Sequence, residues 1–208
     1  MDKEYWDKFY TKTSPTNENY LNSSFAEFCE ANFFKEPMNI VEFGCGAGYD
    51  AYYFANKNHN IFAIDQTTEH IADEILEHDN IMFSEDDFAV STYNFKGRYN
   101  VFYSRFTLHS ITQADEDKFL PRVYSYMSDN SLFCVECRTI KDPKFGVGKH
   151  ICDTTYFNDG HARRFIDSQE FLNKVLSLGF KLKYFNEQDN LSAYKDDNPV
   201  LMRIILEK

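Results

Sequence analysis

Ile40-Val41-Glu42-Phe43-Gly44-Cys45-Gly46-Ala47-Gly48-Tyr49-Asp50 runs an apolar, β-branched stretch directly into three glycines at alternate positions. That order of residues reads as strand, turn, helix. Glycine admits positive φ and lets the backbone approach a ligand with no side chain in the way, while the helix that follows presents free amides at its start. A nucleoside-bearing ligand fits such a turn. The next apolar run, Ile61-Phe62-Ala63-Ile64, ends in Asp65, about twenty residues beyond the first glycine, where a carboxylate can accept both ribose hydroxyls. A nicotinamide fingerprint of the form G-x-G-x-x-G would need glycine at position 49, which is tyrosine, and an acid, Glu42, stands two residues before Gly44.

Outward from this turn, short apolar runs alternate with helix-length stretches, the pattern of a parallel sheet with crossover helices. The expected strands are Asn39 to Phe43, Asn60 to Ile64, Asn80 to Phe83, Tyr99 to Ser104, Leu132 to Glu136, Phe180 to Phe185 and Val200 to Leu206. The expected helices are Asp50 to Lys57, Glu69 to His78, Asp115 to Met127 and Ser168 to Leu178, the last opened by Ser168 as its N-cap and closed by Gly179. The fold class is α/β, a Rossmann-like, seven-stranded, mostly parallel sheet with helices on both faces, in one domain over 1–208. Leu21 to Phe34 reads as an amphipathic helix behind the aromatic segment Tyr5-Trp6-Asp7-Lys8-Phe9-Tyr10, so residues 1–35 are expected to form a helical lid. Thr139 to Asp167 shows no sustained period and reads as a long insertion on the substrate side.

The formal net charge of -11 argues against a nucleic-acid partner, which needs a basic footprint. No apolar signal core or membrane-length segment is present, so the expectation is a cytoplasmic protein acting on a small molecule. Five cysteines is an odd count without framework spacing, consistent with free thiols. Cys134 and Cys137 form a C-x-x-C, but an extended chain points them to opposite faces. His59, His70, His78 and His150 show no ligand spacing beyond His70 and His78, two helical turns apart, so no metal is expected. The oligomeric state has no sequence signal.

An acid, a spacer and G-x-G-x-G after the first strand resemble the class I S-adenosylmethionine (SAM) methyltransferases, and the resemblance covers nearly all of the chain. It implies SAM as cofactor, S-adenosylhomocysteine as product, and a last strand, Val200 to Leu206, inserted antiparallel. It also implies cofactor contacts. Glu42 would lie near the methionyl amine, Gly44, Cys45 and Gly46 along the cofactor, Asp65 on the ribose and Gln66 beside ribose or adenine. Ser84-Glu85-Asp86-Asp87-Phe88 resembles the adenine site, with Asp86 accepting from the exocyclic amine, Asp87 in reserve and Phe88 over the ring; Ser104 completes the set. More narrowly, Tyr5 to Tyr10, Ser23-Ser24-Phe25-Ala26 and Gly48-Tyr49-Asp50 resemble small bacterial tellurite-resistance and thiopurine-like methyltransferases, with Tyr49 in place of their basic residue. Ser104-Arg105-Phe106-Thr107-Leu108-His109, Ile111 and Gly160-His161-Ala162-Arg163-Arg164-Phe165 are similar to a subgroup found with surface-polysaccharide genes.

Methyl transfer needs in-line attack on the sulfonium methyl, with a base added where the acceptor is a hydroxyl. His109, beyond the carboxyl edge of the fourth strand, is the candidate base; its bland alternative is packing against the next helix. Arg163, Arg164 and His161, with Arg105 and Arg138, form a candidate cationic pocket, and Tyr10 a further substrate contact. The bland alternative for the two adjacent arginines is pairing with Asp159 and Asp167. The expected reaction is O-methylation of a small, polar, anionic acceptor such as a sugar or phosphorylated surface-glycan precursor. Nitrogen, a thiol or a chalcogen oxyanion are the alternative acceptors, and a non-catalytic SAM-binding module is the alternative outside enzymes.

Overall fold

The structure is a computed structural model that describes Tyr5, Trp6, Lys8 and residues 21–208. In chain order its elements are α1 (Ser24–Phe33), β1 (Asn39–Phe43), α2 (Tyr49–Ala55), β2 (Asn60–Asp65), α3 (Asp73–Leu76), β3 (Ile81–Glu85), β4 (Val101–Arg105), a 3-10 turn (Leu108–Ser110), α4 (Gln113–Tyr126), β5 (Leu132–Arg138), β6 (Lys149–Cys152), β7 (Thr155–Asn158), β8 (His161–Arg164), α5 (Ser168–Ser177), β9 (Lys181–Gln188) and β10 (Leu201–Glu207). Seven strands form one sheet in the order β3-β2-β1-β4-β5-β10-β9. β10 runs antiparallel to both neighbours, while the pairs among β1 to β5 are parallel. The expected fold class is the observed one, antiparallel last strand included.

Strand alternation builds two cores. Val41, Phe43, Phe102, Phe133 and Ile204 face α4 and α5, where Phe119, Leu120, Phe171 and Val175 meet them. Ile40, Ala63, Tyr103, Cys134 and Ile205 face α1 and α2, where Phe25, Cys29, Ala51 and Phe54 meet them. Cys134 and Cys137 therefore lie in opposite cores, and all five cysteines are free thiols. No described helix is long and apolar enough to cross a membrane.

Local differences from the sequence reading have local causes. The helix expected over Glu69 to His78 shrinks to α3, because the Thr67 amide is captured by Asp65 Oδ1 at 3.3 Å and a Thr68–Ile71 turn precedes it. Ser168 is not the cap of α5: its hydroxyl donates to Glu187, and Asp167 caps instead, accepting from the amides of Gln169 and Glu170. Within 139–167 the chain forms a second, antiparallel sheet, β6-β7-β8, rather than an irregular loop. Its β7–β8 turn places Asp159 and Gly160 at φ 52 and 87, the two-residue geometry that Asp-Gly favours in hairpins. α1 is a core layer rather than a lid, since Phe25, Ala26 and Cys29 are fully buried.

A buried charge cluster pins α1 to the sheet. Glu136 on β5 lies in register with Arg105 on β4 and Arg203 on β10. Its two oxygens accept from Arg105 Nε at 3.0 Å and Arg203 Nε at 2.5 Å, and Arg203 donates onward to the Ser24 hydroxyl at 2.8 Å. Removing the carboxylate leaves the buried Arg203 guanidinium without a counter-charge and takes the one ion-pair partner of Arg105 among the described residues. Glu136→Leu should lower the unfolding free energy by about 3–5 kcal/mol, whereas Ser192→Ala, which deletes one hydroxyl donor to Glu136, should cost about 1 kcal/mol. Equal denaturant midpoints for the two variants would contradict a structural role for the cluster.

Candidate functional site

At the β1–α2 junction Gly44, Gly46 and Gly48 adopt φ of 71, 54 and 76. The turn hangs from β2: the Gly44 and Cys45 amides donate to the Ile64 carbonyl at 2.7 and 3.0 Å, and the Gly46 amide donates to Asp65 Oδ2 at 2.8 Å. Glycine at 44 is required by space as well as by φ, because a Cβ there would sit 2.2 Å from the Thr107 Cγ2 methyl. Cys45 is buried and its thiol is pushed up by burial, then by the charges of Asp65 and Glu42, so it is an unreactive thiol in the turn.

Three acids surround this turn. Asp50 is buried and fully used: it accepts from the Ser23 amide and hydroxyl at 2.6 and 2.7 Å and from the Tyr103 hydroxyl at 2.8 Å, tying the start of α1 to the start of α2. Glu42 differs. Its side chain is buried and its Oε2 has no hydrogen-bond partner among the described residues. Burial raises its carboxyl well above the usual range, the charges of Asp50 and Asp65 add to the rise, and Arg105 opposes it. An orphaned, buried acceptor beside two further acids suits a cationic ligand group such as an ammonium.

At the edge of β3, Asp87 accepts from the Ala89 amide at 2.9 Å and from the Gln66 side chain at 2.7 Å, one bond on each oxygen. Asp86 receives the Asp87 amide on Oδ1 at 2.8 Å, and Oδ2 has no hydrogen-bond partner among the described residues, so Asp86 is the freer of the two acids. Two expected cofactor contacts are not available. Phe88 is 2 % exposed and packs between Phe43 and Phe119 in the core, so its ring does not cover a ligand. Ser104 is fully buried and spends its hydroxyl on Thr107.

Beyond β4, the 3-10 turn and β8 bring His109, His161 and Arg163 together. His109 is buried with Nδ1 lacking a partner among the described residues. Burial, then the charges of Arg163, Arg138, His161 and Arg164, holds its pKa well below the ordinary imidazole value, so it is neutral at physiological pH. His161 stacks on Tyr5 with centroids 4.2 Å apart, and its Nε2 lies 3.0 Å from Arg163 Nη2. Arg164, expected in the same pocket, points to the other face of β8 and is a structural clamp: it ion-pairs with Glu116 and donates to the Leu108 and Ile111 carbonyls. Arg138 is likewise neutralised, by Asp142 and Asp197. Arg163 alone of these three has no carboxylate within ion-pair distance among the described residues, and its Nε is buried without a partner. Arg105 stands apart, toward Glu42 and Asp50, with the Phe106 ring 4.3 Å from its guanidinium. Tyr10 lies outside the described residues.

The glycine turn opens where the sheet order reverses, between β1 and β4, the place where open α/β sheets bind nucleoside ligands. Fold and turn thus define a nucleoside-cofactor protein with an added antiparallel strand. A family profile described as methyltransferase domain matches residues 17–182, and the chain belongs to that family. Among solved structures, the 1,6-didemethyltoxoflavin-N1-methyltransferase of Burkholderia thailandensis with bound 1,6-didemethyltoxoflavin and S-adenosylhomocysteine is similar at 14% identity and TM-score 0.71, over 100% of this chain and 90% of that one. A SAM-dependent methyltransferase from Mesorhizobium loti is similar at 13% identity and TM-score 0.71, over 91% and 100%. The glycopeptide N-methyltransferase MtfA complexed with S-adenosylhomocysteine is similar at 11% identity and TM-score 0.68, over 97% and 96%. At these identities the likeness is one of fold. No curated protein sequence matches the chain.

Two variants test the site. Gly44→Ala should destabilise the chain by roughly 2–4 kcal/mol, from the left-handed backbone and the methyl overlap together, and adding Thr107→Ser should recover the overlap part in thermal unfolding; no recovery would remove Thr107 as the cause. Glu42→Gln should make the unliganded chain more stable at pH 8. The raised carboxyl destabilises the fold only where it must ionise, so the gain should fade as pH falls toward the ordinary glutamate value of about 4.3. Urea unfolding between pH 5 and 8 measures it, and a pH-independent difference would contradict the burial cost.

Proposed function

We propose that this methyltransferase uses SAM to methylate a hydroxyl of a small acceptor that carries an anionic group, such as a phosphorylated sugar. The observation that carries the acceptor class is Arg163, a half-buried guanidinium with no carboxylate within ion-pair distance among the described residues, in a chain of formal net charge -11. An unpaired, partly desolvated cation is costly unless a ligand supplies the anion. The residues around the glycine turn fit SAM: Glu42 has a buried oxygen without a partner among the described residues that would accept from the ammonium, Asp65 at the end of β2 would accept the ribose hydroxyls, and Asp86, with Oδ2 unpartnered among the described residues, would accept from the adenine amine. The cofactor, when bound, supplies the electrophilic methyl group.

The chain's own part is positioning, proton removal and water exclusion. Arg163 holds the acceptor's anionic group, and His161, stacked under Tyr5, orients Arg163. His109, kept neutral, accepts the hydroxyl proton as the new C–O bond forms and the C–S bond breaks. A soft acceptor such as a thiol, or a neutral amine, would not need this proton transfer in the same way.

The test is formation of S-adenosylhomocysteine from SAM with matched anionic and neutral hydroxyl acceptors. Arg163→Met should raise the KM for the anionic acceptor about 10- to 100-fold with a smaller change in kcat. His109→Gln should lower kcat by about 100-fold or more. Because His109 titrates well below its ordinary value, the wild-type kcat should stay flat as pH falls through about 6.5. An acceptor KM indifferent to Arg163→Met would refute the anion site, and an unchanged kcat in His109→Gln would point to a nitrogen or sulfur acceptor.

A further inference from the structure

A general base needs its ring aimed, and the usual means is a third group bonded to the base. His109 has no such group on Nδ1, which is buried without a partner among the described residues. Its ring lies against the Phe106 ring, with centroids 5.5 Å apart, a contact that sets no hydrogen-bonding direction. The placement of His109 therefore falls on its backbone, which sits in a 3-10 turn of three residues, Leu108–Ser110.

Arg164 holds that turn. Its Nε donates to the Ile111 carbonyl at 3.1 Å and its Nη2 to the Leu108 carbonyl at 3.0 Å, so one guanidinium grips the main chain on both sides of His109. Nη1 donates to Gln113 Oε1 at 2.7 Å, and Nη2 also reaches Glu116 Oε2 at 2.5 Å. Glu116 on α4 takes Lys174 of α5 on its other oxygen at 2.8 Å. The Arg164 and Glu116 side chains are both buried, where a misplaced polar group is costly. A lysine ammonium does not span these oxygens from one place; the planar fork does.

We propose that Arg164 is a positioning residue for His109, its fork setting the turn so that the imidazole meets the acceptor hydroxyl, with Glu116 setting the fork. Arg163 and Arg164 are successive residues of β8 and point to opposite faces, so one strand carries both the anion contact and the hold on the base. This rests on the reading of His109 as the base of an O-methyltransferase.

The His109 ring is a reporter that needs no acceptor. In proton–nitrogen NMR, with its signals assigned by their loss in His109→Gln, Arg164→Lys should shift them, whereas Lys174→Met should leave them in place. Lys174 pairs with Glu116 and Asp117, so Lys174→Met loosens the same buried cluster without touching the turn. With a hexose phosphate acceptor, Arg164→Lys should lower kcat about 10- to 100-fold and leave the acceptor KM within about threefold. In the His109→Gln background the same change should cost less than about twofold, because Arg164 acts through His109. Should Arg164→Lys not fold, Glu116→Gln, which leaves an oxygen for the fork, carries the same cycle with a drop of about 3- to 10-fold. Unmoved His109 signals, an equal kcat loss in Lys174→Met, or a full further loss in the His109→Gln background would overturn the assignment. An unchanged kcat in His109→Gln itself would instead overturn the base reading, and the assignment with it.

Discussion

The Gly46 amide donates to the Asp65 carboxylate, and with the Gly44 and Cys45 amides on the Ile64 carbonyl this hydrogen bond joins the ends of the two strands that build the cofactor side. It holds the glycine turn open at positive φ and fixes an acid at the sheet edge. Around it, Thr107 presses against Gly44 from β4's side and Asp50 draws the start of α1 against the start of α2. Packing on both faces of the sheet then follows from strand alternation alone. Glu42, caught inside this arrangement with one oxygen unpartnered among the described residues, is where the requirements of the fold and of a ligand part company.

Charge is distributed in a way that net composition conceals. The cofactor side is acidic, with Glu42, Asp50 and Asp65 about the turn. On the His109 side Arg163 is half-buried with no carboxylate within ion-pair distance among the described residues, beside the neutral imidazole of His109. Phe106, held at φ 59, has its ring near Arg105, Arg138 and His109. A non-glycine residue in that region of φ is sparsely populated and persists only when its surroundings over-determine it. Here the Phe106 amide donates to Glu136 O at 2.8 Å while the ring is stacked by a cation.

What was legible in the sequence was whatever depends on neighbours in the chain. The β1 turn, Asp65 and the seven strands of the main sheet are marked by spacing and period. What was not legible depends on contacts across the fold. Nothing local marks Phe88 as a core ring or Ser104 as the partner of Thr107, and the identity of Arg164's partner, Glu116, lies far along the chain. Asp50, Tyr103 and Glu136 were missed as an organising set for the same reason. The β7–β8 hairpin was within reach, since Asp159-Gly160 is a turn signal, but strands of four residues carry too little alternation to stand out.

The central claim is that the glycine turn and Asp65 together hold a SAM-type cofactor, and calorimetric titration of SAM and S-adenosylhomocysteine into the wild type and the Asp65→Ala variant tests it most directly. The account predicts one binding site per wild-type chain for both ligands and its loss in the variant, while the variant remains folded by circular dichroism. A wild-type chain that binds neither ligand, or an Asp65→Ala variant that binds both as tightly as the wild type, would contradict it.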